Sequence, residues 1–200
     1  MALRLITPAT TPAISLVEAK AHLRVTESDD DTLIEALVKS VTDFVEGPYG
    51  FLARALVDQT WQLTLDAFPT NEIQIPLPPL IAVTSIVYDD TDGTPQTFST
   101  GSYTVDAESQ PGWVVPDDSG WPDTFDGINA VRITYRAGYV DNSFSPPEGE
   151  IPGDIRAALL LHLGSLYENR ENVVVGTIVS PLPFGAEVLL RQKRVQLGMA

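Results

Sequence analysis

Two histidines, a run of three aspartates and one Asp-Gly turn are the places where this 200-residue chain could carry out chemistry. His22 stands in "SLVEAKAHLRV" without the His-Glu-x-x-His spacing of a zinc helix, so a partly exposed polar role is expected. His162 lies inside "LLLHLG", with no nucleophile or carboxylate motif beside it, and reads as a packing histidine. Asp29, Asp30 and Asp31 precede an apolar-periodic run. Carboxylates there suit the start of a helix, where unpaired amides and the dipole favour negative charge, better than a divalent ion. "DDTDGT" at 89–94 imitates a calcium loop in part: Asp90, Asp92 and Gly93 fit, but Tyr88 falls where the first acid belongs and the distal Glu is missing, so a hairpin turn is the expectation. No GxSxG, P-loop or GxGxxG occurs, and the absence of cysteine removes disulfides, thiolate metal sites and a thiol nucleophile. The expected inventory is therefore no catalytic residue, no metal and no cofactor.

Around these residues the chain is globular and turn-rich, with 44% hydrophobic residues, 14 Gly and 16 Pro. The opening "MALRLITPATTPAISL" has its apolar stretch broken by Pro8 and Pro12 and does not read as a secretory signal. The longest apolar run, 157–163, is far too short to span a bilayer, so no membrane is expected. Net charge is −15, which argues against a surface that grips phosphates. That charge is uneven. Residues 57–150 hold fifteen acids against Arg132 and Arg136, together with Trp61, Trp113 and Trp121, whereas the two flanks combined carry a net of only −2. A compositional boundary on each side defines the expected division, 1–56 with 151–200 and 57–150 between them.

Periodicity assigns the flanks to helix and the middle to antiparallel strands, an α+β fold. Ser15 and Glu18 stand three apart as a capping box, predicting a helix near 15–24. Leu33, Ile34, Leu37, Val38, Val41, Phe44 and Val45 recur at helical spacing before Gly47-Pro48, predicting a second over 29–46. "VDQTWQLTLDAF" alternates, "EIQIPLPPL" is extended, and "VTSIVYDDTDGTPQTF" reads as two strands around Asp92-Gly93. "SYTVD", "GWVVP" and "NAVRITYRAGY" supply further strands, and Trp61, Ile86, Val131 and Ile133 are expected in one apolar cluster. Helix resumes over 154–170, with Ile155, Leu159, Leu163 and Leu166 on one side, and again over 185–197. Between these last two, "VVVGTIVSPLPFG" reads as an extended arm or exposed loop.

The order and spacing of these pieces, from "SLVEAKAHLRV" through "TWQLTLDAFP", "IQIPLPPLIAVTSIVYDDTDGTPQTF" and "VRITYRAGY" to "IPGDIRAALLLHLGSLYENRE" and "PFGAEVLLRQKR", resemble one family over nearly the whole chain. It is the head-tail connector, or adaptor, family of tailed phages, in the longer form found in siphophages, prophages and gene transfer agents, where a β-rich insertion separates the helices. The resemblance implies a helical connector body that forms a homo-oligomeric ring, dodecameric, beneath the portal protein. It further implies a junction to a tail-side stopper or tail terminator protein, a DNA channel through which DNA passes without specific binding, and assembly in the bacterial cytoplasm into the virion. An acidic channel or rim would repel the phosphate backbone and let DNA move without sticking.

Within that frame the segment from Pro181 onward is expected to be the portal-binding arm. Arg191, Lys193 and Arg194 form a basic cluster in an acidic chain, although cations are also ordinary at a helix C-terminus. Leu189 and Leu190 would supply the buried contact, the cations would orient it, and removing residues 181–200 would leave a folded protomer. A second reading is a carbohydrate or cell-surface binding module presenting Trp61, Trp113 and Trp121 as aromatic platforms. A third, a metal-dependent hydrolase, would need clustered Asp and His, whereas these residues are scattered along the chain.

Overall fold

A computed structural model describes residues 1–145, 147–169 and 184–195. The chain forms two compact units, the first from Met1–Thr10 and Arg54–Gly149, the second from Thr11–Ala53 and Glu150–Ala200.

The first unit is built of strands. β1 (Ala2–Thr7), β2 (Gln59–Leu65), β4 (Leu80–Asp89), β5 (Pro95–Thr97) and β8 (Val131–Ala137) make a five-stranded antiparallel sheet in the order β1-β2-β8-β4-β5. β3 (Ile73–Ile75), β7 (Gly112–Pro116) and β6 (Tyr103–Asp106) form a second sheet in that order. Alternation sets the faces: along the central β8, Val131, Ile133, Tyr135 and Ala137 are buried while Arg132, Thr134 and Arg136 are half-buried. Trp61, Ile86, Val131 and Ile133 do share one cluster, joined by Ile73, Ile75 and Val114 from the smaller sheet. Close approaches tighten this body at two glycines. A Cβ on Gly112 would lie 2.7 Å from Leu80 Cδ2, and one on Gly138, at φ +148°, would lie 2.4 Å from the Val57 backbone. The turn at 89–94 is the expected hairpin: Asp90 accepts from the amides of Asp92 and Thr94 at 3.1 and 2.9 Å, and Gly93 takes φ +77°.

β1 is the element that local pattern does not predict. Assigned by charge to the helical flank, residues 1–10 instead belong to the sheet unit, with Ala2 opposite Thr64 and Leu5 opposite Trp61. The signal is absent because a strand of six residues followed by Pro8 has its partner more than fifty residues away, and that pairing is not written locally.

The second unit is helical: α1 (Leu16–Leu23), α2 (Asp31–Val45), α3 (Gly153–Glu168) and α4 (Phe184–Arg191). Ile34, Val38, Val41 and Val45 bury one stripe of α2, and Ile155, Ala158, Leu159, His162 and Leu163 bury the inner face of α3. The capping box is half formed, since Ser15 Oγ accepts from the Glu18 amide at 3.2 Å. The Glu18 carboxylate has another use and takes the Arg156 guanidinium on α3 through bonds of 2.5 and 2.6 Å. Likewise Asp30 stands at the N-cap of α2, but its carboxylate accepts from the Tyr167 hydroxyl on α3, and Asp31 pairs with Lys20 on α1. The three aspartates thus contribute two interhelical ties as well as helix-start charge. The last helix is shorter than the expected 185–197: it ends at Arg191, the Lys193 amide turns back to Leu190 O, and the Val195 amide reaches Leu52 O at 3.0 Å. Residues 196 and 197 lie outside the described residues, as do 170–183, where the extended arm is expected.

Candidate partner-binding surface

Each of the five residues expected to bind a partner has a distinct place. Leu190 is fully buried and Ala186, one turn earlier, is buried with it, so this face of α4 serves the helical unit itself. Leu189 is half-buried. The expectation that Leu190 supplies an intermolecular contact is therefore corrected, since the residue is already spent on the protomer's own core. Arg191 leaves the side chain 70% exposed and pairs with Glu187 across one helical turn at 2.6 Å. Such an exposed pair is worth about 0.3–0.5 kcal/mol and is easily exchanged for another acid. Lys193 lies 3.4 Å from Asp154, and the Arg194 guanidinium sits 5.5 Å from the Phe51 ring centroid. Lys193 and Arg194 follow the helix rather than occupying its last turn, so the three cations do not act as a single cluster on one helical face.

The surface that charge alone misses surrounds Arg194. Asp43, Phe44, Glu46, Tyr49, Phe51 and Arg194 line a groove beyond the end of α2. Tyr49 is 100% exposed in the Gly47-Pro48-Tyr49-Gly50 turn, and Phe44 is partly exposed. An aromatic residue inside a Gly-Pro-x-Gly turn was a readable sign of this, because such a turn has no core to put it in. Phe44 also meets the edge of His162, with ring centroids 5.3 Å apart. His162 is buried, its Nδ1 has no hydrogen-bond partner among the described residues, and desolvation pushes its pKa below the usual histidine value. It packs as expected, against the ring of Phe44. His22 lies elsewhere on the unit, with Nε2 3.5 Å from where a Gly164 Cβ would stand.

In the sheet unit, two of the four arginines are committed to acids. Arg136 donates to both Asp58 and Asp141, and Arg132 grips Asp89 through two bonds. The Arg132 hydrogen bond, aided by its charge, holds the Asp89 carboxyl below the usual range. Burial would raise Asp141, but Ser143 and Arg136 outweigh it and the net shift is downward. Asp90 is held down by Gln96 and the turn amides. Of the three tryptophans, Trp61 is in the core, Trp121 stacks on Phe68 at 4.7 Å while donating to Asn71 O, and Trp113 on β7 is half-buried. Among the described residues, no group of three or more His, Asp or Glu could hold a metal ion, and no helix is long and apolar enough to cross a membrane.

Residues 13–108 match the family model described as phage gp6-like head-tail connector protein. Three solved structures share its fold over 100% of this chain and 99% of theirs. A protein of the neck of an empty gene transfer agent particle, computed with C6 symmetry, is 20% identical with a TM-score of 0.77. One from the virion of a native gene transfer agent particle is 21% identical with a TM-score of 0.74. Another, from the neck of a native particle computed with C12 symmetry, is 20% identical with a TM-score of 0.68. No curated protein matches the chain.

Proposed function

We propose that the protein is a virion head-tail connector that forms a homo-oligomeric ring, a dodecamer, beneath the portal protein. The ring joins the head to a tail-side stopper or terminator and continues the channel through which DNA passes. The observation that carries this reading is the connector-family match over residues 13–108, supported by whole-chain fold likeness to neck proteins of particles solved with sixfold and twelvefold symmetry. On this reading the helical unit is the connector scaffold, and the sheet body is an insertion over residues 54–149 completed by β1 from residues 1–10. Protomers assemble in the bacterial cytoplasm and finish in the neck of the particle. A chain of net −15 suits a DNA conduit, because its field repels phosphate and removes the counterion-release gain that would hold DNA in place.

The carboxyl-terminal region remains the proposed portal contact, on an altered set of residues. Leu189, Arg191, Lys193 and Arg194, together with the exposed Val188, form its surface, and Leu190 holds α4 to the protomer. Mixing the purified full chain with portal complexes and imaging by electron microscopy should show a ring of added density with twelvefold symmetry on the portal's outer end. Portals that remain bare at saturating protein would overturn the reading.

A further inference from the structure

Among the edges of the five-stranded sheet, one is guarded and one is not. β5 has three residues and opens with Pro95, which has no amide to offer. β1 has six residues and no proline, and carries Leu5 and Ile6 at 42% and 41% exposure. Natural edge strands are blunted by shortness, proline, lysine or a bulge. On β1 the bulge between Leu5 and Thr7 leaves Ala2–Leu5 in regular register with β2, so among the described residues this stretch keeps one row of backbone donors and acceptors without a second strand partner.

Charge says what such an edge would accept. The sheet unit carries fourteen acids against four arginines. Arg132 and Arg136 are bound to aspartates, and Arg54 donates to Gln110 and lies over the Tyr139 ring. Arg4 is exposed, and no ion pair to it occurs among the described residues. Two copies of a chain of net −15 repel one another, and a contact between them is favoured where a cation is free to meet an acid.

We propose that the free edge of β1 takes an extended segment from a second copy of this chain as an added strand. An acidic side chain of that segment meets Arg4, and apolar ones cover Leu5 and Ile6. The inference rests on the ring reading, which sets copies side by side. A donated strand is a heterologous contact, used once per copy, and such contacts close into a ring when the rotation allows. Backbone pairing gives the affinity, and Arg4 sets the polarity of the partner strand.

Hydrogen exchange on the full chain, free and assembled, tests this. In the free protomer, the amides of Leu3–Thr7 that are not bonded to β2 should exchange rapidly; in the ring they should slow by about a hundredfold or more. Arg4→Gln and Ile6→Lys should each raise the concentration needed for half-assembly about tenfold, while leaving tryptophan emission and its melting unchanged. A ring whose β1 amides exchange as in the free chain, or Arg4→Gln and Ile6→Lys rings that form normally, would overturn strand addition and leave the ring reading standing. Protection that appears only when a tail-side protein is added would overturn the second copy as the occupant. Failure of the unaltered chain to assemble, alone or on portals, would remove both.

Discussion

His162 is the residue whose surroundings most clearly set a measurable property. Its buried Nδ1 lacks a partner among the described residues, and desolvation lowers its pKa, so the folded helical unit takes up a proton less readily than the unfolded chain. The sign follows from that difference. Above the ordinary histidine value of about 6.5, the neutral ring costs nothing extra; below it, stability is lost progressively as pH falls toward the lower folded value. Thermal melts followed by circular dichroism at 222 nm should show a falling midpoint from about pH 7 to pH 5, and His162→Leu should flatten that slope. A slope unchanged in the variant would assign it to other groups. At this scale the sequence was legible where one residue decides a local geometry, as at Ser15 and at Asp92-Gly93. It was silent where a side chain works at long range, as in the Glu18 carboxylate reaching Arg156 across 138 positions.

Helix α4 shows how an element can be located and still be misjudged. Its periodicity was readable, but an eight-residue amphipathic helix looks the same whether its apolar face meets its own protomer or a partner. The structure commits Ala186 and Leu190 inward, with the Val195 amide on Leu52 O anchoring the chain beyond the helix. Leu190→Ala should therefore cost about 2–5 kcal/mol, seen as an earlier loss of signal at 222 nm, with tryptophan emission unaffected because Trp61, Trp113 and Trp121 all lie in the sheet unit. Removal of residues 181–200 should destabilise the helical unit in the same way, contrary to the expectation of a dispensable arm. A full-strength melt in the shortened chain would show that α4 contributes nothing to the protomer. Strands β2 to β8 were legible from alternation and turn residues; their division into two sheets was not, because strand order depends on which hydrophobic faces find each other.

For the whole molecule, the dominant fact is surplus negative charge. The sheet unit survives its acids by pairing or capping them: Asp89 with Arg132, Asp141 with Ser143 and Arg136, Asp106 with Ser109. The Ser109 hydroxyl holds the Asp106 carboxyl down, as the Arg132 hydrogen bond does for Asp89. Carboxylates with folded pKa values below their unfolded ones contribute stability that is complete above the ordinary range and lost as pH falls through the folded values. The tryptophan-detected melting midpoint should hold steady down to about pH 4 and then drop steeply, and Asp89→Asn should remove part of the drop. Stability that rises on acidification would mean that self-repulsion, not these bonds, governs the unit. Composition made the surplus visible in the sequence, whereas which acids are satisfied was not, since each partner is brought in by the fold.

The path of the chain crosses between units three times, after Thr10, Ala53 and Gly149. On a ribosome this means that nothing can finish early. β1 leaves the exit tunnel before β2 and has no strand to pair with until β2 has followed, and the apolar stripe of α2 has no α3 to cover it until residue 168 has been made. At ordinary elongation rates, that second wait lasts on the order of ten seconds. Through that interval the nascent chain carries Leu5, Ile6 and the α2 stripe uncovered, the kind of transiently exposed apolar surface that makes an unfinished chain prone to aggregation.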